Sequence, residues 1–185
     1  MAGNKIDPFM ATLFVNGIPL MLNKYVMEQR LLRPRLTTRQ RLEAEIAINN
    51  PRSGPIVTLA DDDEATPLLL EFVPDNNRYV IYARTPGAYF GWHLEMSGEP
   101  RALRVAQGTK TLGSYFSLEN TYGKLTAAKD FQFSPMSLSW VSEERNRGLY
   151  LGDENSVRFF MDANPNKTVH HAFNGLPCTF VLRKV

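Results

Sequence analysis

The sequence predicts an all-β fold, a barrel or a sandwich, on three observations. About twelve short apolar or alternating runs follow one another at close spacing, too short and too frequent for βαβ units. Turn-forming residues separate them: Asn16-Gly17, Pro74-Asp75-Asn76-Asn77, Thr85-Pro86-Gly87, Ser97-Gly98, Asn164-Pro165-Asn166 and Asn174-Gly175. Such residues tolerate positive φ or fix the proline φ. Finally, the order in which the runs follow one another recurs along the chain.

In chain order, "ATLFV" (11–15) and "IPLML" (18–22) flank the Asn16-Gly17 turn. "PIVTL" (55–59) and "LLLEFV" (68–73) complete a first set of four strands. A second set is "RYVIYA" (78–83), "AYFGWHL" (88–94), "ALRV" (102–105) and "YFSL" (115–118). A third is "LSWV" (138–141), "LYLG" (149–152), "VRFFM" (157–161) and "TFVLRK" (179–184). One short helix is expected at about 37–48, "TTRQRLEAEIAI", where Thr37 and Gln40 form a capping-box pattern and Asn49-Asn50-Pro51 supplies a stop. The same run alternates, with Leu42, Ala44, Ile46 and Ile48 apolar around Glu43 and Glu45, so its period argues for a strand while its composition argues for a helix.

The recurrence is visible in "GAYFGWHL" (87–94) and "GLYLGDENSVRFF" (148–160). Each follows a strand-like run and a turn-rich link, and each leads to a short run and then a Phe-centred one. With the first set included, a single domain spanning 1–185 divides into repeat units at 10–74, 78–120 and 137–184. This order resembles the β-trefoil superfamily, in which three four-stranded units form a six-stranded barrel capped by three hairpins. The resemblance implies one core layer from Leu20, Tyr89 or Phe90, and Leu149 or Leu151, and another from Phe72, Phe116 and Phe180. Insertions at Asn23–Pro55 and Thr121–Met136 interrupt the pattern. A β-sandwich is the alternative architecture.

A net charge of +2 is too small to indicate nucleic acid, and 43% hydrophobic residues exclude wholesale disorder. The single cysteine, Cys178, excludes an internal disulfide and favours a reducing compartment. It lies beside Pro177 in the expected last strand, where a buried thiol is the ordinary role. The N-terminal stretch lacks a signal peptide's order of regions, and no run approaches a membrane-spanning length. A cytoplasmic location or leaderless export is expected.

The chemistry-bearing patterns are few. Arg30, Arg33, Arg35, Arg39 and Arg41 form a basic patch without interleaved aromatics. It reads as a docking site for an acidic partner or as a solvated insertion paired with the acids at Asp61–Glu64. Those acids lack the spacing and central glycine of a calcium loop. His93 stands alone and His170-His171 would face opposite ways on a strand, so no metal site is expected. No nucleophile elbow, phosphate-binding loop or dinucleotide motif is present, and no cofactor is expected. Asn166-Lys167-Thr168 matches a glycosylation sequon but reads as a turn.

Trp92 and His93 follow one repeat core, and Asp153, Glu154 and Asn155 follow the other. An aromatic face beside amide and carboxylate acceptors suits a sugar, whose C–H face stacks while its hydroxyls take the polar tips. The competing reading packs Trp92 in a hairpin cap and solvates the acids in a turn. The Gln-x-Trp signature of ricin-type trefoil lectins is absent at the Phe-centred runs. The expected function is a non-enzymatic binding module, carbohydrate-binding by analogy with trefoil proteins. The alternative is a protein partner, met through the Arg-rich insertion 23–55 in the manner of protease-inhibitor-like or cytokine-like trefoils. An enzyme whose site leaves no linear motif is a third possibility.

Overall fold

A computed structural model describes residues 6–154, 156–163 and 176–185. Six strands close into a ring: β1 (Phe9–Val15), β4 (Leu70–Asp75), β5 (Arg78–Ala83), β8 (Phe116–Asn120), β10 (Met136–Ser142) and β14 (Phe180–Lys184). Each pairs antiparallel with the next, and β14 returns to β1 with Leu13 opposite Leu182. Closure removes the open edges that two stacked sheets would keep, so the sandwich alternative does not hold.

The ring forms because its strands alternate. In β1, Phe9, Ala11, Leu13 and Val15 are buried while Met10 and Thr12 are partly exposed. Every ring strand contributes an aromatic side chain to the core: Phe9, Phe72, Tyr79, Phe116, Trp140 and Phe180. Phe9 stacks on Phe72 at 5.0 Å, and Trp140 meets Phe116 and Phe180 edge-on at 5.5 and 5.4 Å. Phe72, Phe116 and Phe180, expected to form one layer, are all fully buried. Burial of each such ring stabilises the fold by about 1.5–3 kcal/mol.

Three hairpins accompany the ring: β2 (Ile18–Leu22) with β3 (Val57–Leu59), β6 (His93–Ser97) with β7 (Ala102–Ala106), and β12 (Tyr150–Glu154) with β13 (Val157–Met161). Their second strands β3, β7 and β13 touch pairwise, and Ile56, Ala102, Phe159 and Met161 form a small core among them. At the β1–β2 turn, Asn16 and Gly17 both have positive φ, the twist a two-residue hairpin requires. Asn76 and Asn77 do the same between β4 and β5.

Both insertions have structural roles. The first holds α1 (Asn23–Leu31) and α2 (Thr38–Ile48). The conflict over 37–48 resolves to helix: Thr37 Oγ1 accepts from the Gln40 amide and Gln40 Oε1 from the Thr37 amide. The alternation there carries no burial, since only Ala44 of α2 is buried. Helix α1 was not anticipated, because no side chain caps it. Its first amides, on Asn23 and Lys24, donate instead to Ile56 and Gly54 carbonyls of the returning chain. The second insertion adds a two-residue strand β9 (Gly123–Lys124) and buries Leu125 and Phe131 in the main core. Phe131 lies 4.8 Å from Phe9 and edge-on to Tyr79, whose hydroxyl donates to the Leu125 carbonyl. A short strand β11 (Arg147–Gly148) pairs with β10.

Two expectations need correction, and one choice between residues is settled. The run 88–94 is mostly a turn; its strand begins only at His93, leaving Tyr89 half-buried and Phe90 55% exposed. The fully buried residues of that hairpin's first strand are Leu94 and Met96. In the third set Leu149, not the half-buried Leu151, is fully buried. Cys178 precedes the last strand, half-buried, with its amide donating to the Leu149 carbonyl. Burial pushes its thiol pKa up, which disfavours the thiolate.

Candidate functional site

The residues singled out in the sequence do not converge. Trp92 is half-buried and packs edge-on to Tyr89 at 5.0 Å, a hairpin-cap role. His93 is buried in β6 with Nε2 3.4 Å from Glu95 Oε2, without hydrogen-bond geometry. Asp153 is exposed and Glu154 half-buried on β12, in a different hairpin. Asn155, His170, His171 and the sequon at 166–168 lie outside the described residues. Among the described residues no group of His, Cys, Asp and Glu could hold a metal.

The basic patch is largely paired. Arg30 grips Asp61 with two hydrogen bonds of 2.7 Å, and Arg33 reaches the same carboxylate at 2.7 Å. The Arg30 guanidinium holds the Asp61 carboxyl below its usual range. Arg39 pairs with Glu43 one helical turn on, at 2.8 Å. Arg35 and Arg41 are exposed. A wide cleft of about 790 Å³ lies between this helical hairpin and the tip of β12–β13 at Ser156 and Val157, but its charged walls are these same paired groups.

A second cleft, of about 450 Å³, has both polar and apolar walls. Helix α1 forms one side through Lys24, Tyr25, Glu28 and Gln29, with Leu32 beyond its end. The β3–β4 link supplies Thr66, Pro67 and Leu68, and the β5–β6 link supplies Thr85, Pro86, Gly87 and Ala88. Met21, Leu68 and the two prolines make an apolar floor. Helix α1 is held at this angle by its backbone bonds to Gly54 and Ile56 and by buried Val26 and Met27.

The distinctive group is the Tyr25 hydroxyl. Its oxygen is buried, and no group among the described residues meets it in hydrogen-bond geometry, although the Tyr89 backbone lies close. A buried hydroxyl left without a hydrogen bond costs about 1–3 kcal/mol, which the adjacent Tyr89 backbone can offset. Burial is the main cause that pushes the phenol pKa up, so it stays a neutral donor and acceptor. Gly87 faces it: a Cβ there would stand 2.5 Å from Tyr25 Oη, at a φ of +142° that side chains rarely adopt. Lys24 Nζ lies 5.9 Å over the Tyr89 ring, and the Tyr25 and Tyr89 rings are 6.2 Å apart.

Sequence reasoning missed this cleft because its walls come from three segments far apart in the chain. In sequence, Thr85-Pro86-Gly87 signals only a turn. No protein-family model matches the chain, and no curated protein sequence matches it. Among solved structures it is similar to the lysenin pore, with a TM-score of 0.54 and 12% sequence identity. That match covers 96% of this chain and 45% of the other, so this chain spans less than half its length. The likeness is one of fold.

Proposed function

We propose that the protein is a β-trefoil-type binding module, non-enzymatic, that takes a saccharide in the α1 cleft. The trefoil reading is supported by a closed ring of six strands with three hairpins whose second strands meet. Four principal strands fall in each third of the chain, and the two helices occupy the first insertion. The saccharide reading rests on one observation: a cleft with an apolar floor and a polar rim, walled by the Tyr25 side chain. Such a cleft suits a ring with C–H faces and many hydroxyls. The floor covers the face, and Thr66, Thr85, Gln29 and Glu28 can exchange hydrogen bonds with the edge. Fold analogy alone would be a weaker warrant. The likeness to a pore protein concerns fold and carries no activity to this chain.

The test is a glycan array at high protein concentration, followed by titration of any hit with Tyr25→Phe. Binding that weakens about tenfold on loss of the hydroxyl supports the reading. A blank array sinks it. A second reading, docking of a protein partner on the helical insertion, is favoured by α2, which leaves Leu42 and Ile46 56% and 60% exposed. Partner binding there should fall steeply with salt and be lost when the five arginines become Ser.

A further inference from the structure

Helix α2 is apolar on two opposite sides. One side faces the fold: Ala44 is buried in a small cluster with Met21, Val26, Met27 and Ala60, and Ala47 and Ile48 pack against it. Leu42 and Ile46 stand one turn apart on the other side, 56% and 60% exposed. At about 3.6 residues per turn each lies some 160° around the axis from Ala44, so the packing of α2 in its own chain leaves both in water. Charges frame this ridge in a regular way. Arg39 and Glu43 run along one flank, Arg41 and Glu45 along the other, and all four are exposed. On each flank the arginine stands nearer the start of the helix and the glutamate one turn nearer its end. A parallel copy of α2 would set arginine beside arginine and glutamate beside glutamate. An antiparallel copy, related by a two-fold axis, sets the arginine of each flank beside the glutamate of the same flank in its partner. Arg39 already bonds Glu43 within the helix at 2.8 Å, whereas Arg41 and Glu45 form no ion pair among the described residues. We propose that α2 is a self-association face: two copies of the chain pack α2 against α2, antiparallel, with Leu42 and Ile46 at the centre and Arg41 bonded to the partner's Glu45. The face carries both a charge pattern and its complement, which favours a second copy over an unrelated protein. The inference rests on the docking reading above, whose partner it names, and is independent of the saccharide reading.

Two eleven-residue helices bury less than the roughly 800 Å² per partner of a standard interface, so the dimer is weak, with a Kd on the order of 100 μM. Sedimentation velocity of the full-length protein, from about tenfold below that concentration to about fivefold above it, reads the association directly. The sedimentation coefficient is expected to climb with concentration towards the dimer value, and less steeply as salt rises. Leu42→Asp should weaken association at least about tenfold. Arg41→Glu and Glu45→Arg each set like charges together, so either variant alone should stay monomeric, while an equimolar mixture of the two should associate again. Thermal unfolding of each variant, expected within a few degrees of the parent, checks that these exposed changes leave the fold intact. None of the three residues lines the α1 cleft, so saccharide binding should not change. A protein monomeric at every concentration, a dimer indifferent to Leu42→Asp, or charge reversals that do not recover on mixing would each overturn the inference. The docking reading then survives only if a different protein binds the parent and not Leu42→Asp; if none does, both fall.

Discussion

Asp162, just after β13, is fully buried and tests the energetics of the framework most sharply. Arg101 Nε and Nη2 donate to its two oxygens, each at 2.9 Å, and the same guanidinium also bonds Glu144. The Ser142 hydroxyl adds a bond of 2.6 Å, and Arg145 approaches to 3.7 Å. The cluster thus ties the start of β7 to the ends of β10 and β13. Replacing Arg101 by Met leaves a buried carboxylate with half its partners gone, a change that costs about 3–5 kcal/mol. Because Ser142 and Arg145 remain, the lower end, about 3 kcal/mol, is expected. For a chain of this length that lowers Tm by about 6–12 °C.

The sign with pH follows from Asp162. Burial pushes its pKa up, but hydrogen bonds from Arg101 and Ser142 and the charges of Arg101 and Arg145 outweigh it and hold the carboxyl below its ordinary value. Its contribution is therefore present above the unfolded value, about 3.9, and is lost as pH falls through the lower folded one. In Arg101→Met burial acts with less opposition, the carboxyl protonates more easily, and the deficit shrinks toward acid pH. The assay is urea unfolding followed by the fluorescence of buried Trp140, at about neutral pH and at about pH 4. Arg101→Met with Asp162→Leu should recover most of the loss, since no charge is then buried alone. A loss under about 1 kcal/mol, or one equal at both pH values, would refute the reasoning.

Gly87→Ala combines a strained φ with a clash on the Tyr25 hydroxyl, and should cost about 1–3 kcal/mol in urea unfolding. Adding Tyr25→Phe should return only the steric part. Phe131→Ala opens a cavity against Phe9 and Tyr79 and is expected to cost about 3–5 kcal/mol; a cost under 1 would mean the insertion does not seal that part of the core. Thr37→Ala removes the α2 cap for about 1 kcal/mol, read as faster amide exchange in α2 with ring-strand amides unchanged.

The barrel was legible because its information is local. Period-2 burial, Asn-Gly and Asn-Asn turns, and one large aromatic per ring strand each leave a mark within a few residues. Helix α2 was legible through its capping box rather than its face, since it buries almost nothing. Helix α1 was not, because its N-terminal amides are satisfied by backbone from thirty or more residues later. The pairing of "GAYFGWHL" with "GLYLGDENS" was partly misleading: Tyr150 lies in a strand opposite Met161, whereas Tyr89 lies in the turn before β6. The Arg30–Asp61 pair was foreseeable as a balance of charge, although only the fold decides which acid is reached. The cleft was invisible, because Tyr25, Leu68 and Gly87 meet only after the ring has closed.

The central claim is that a saccharide occupies the α1 cleft. Amide chemical-shift mapping of the isotope-labelled protein, titrated with the best-binding oligosaccharide from the array, tests it directly. Saturable shifts are expected at Lys24, Tyr25, Gly87 and Ala88, abolished in Gly87→Ala and absent at Asp153. Shifts confined to Trp92, Asp153 and Glu154, or no shifts at saturating ligand, would contradict it.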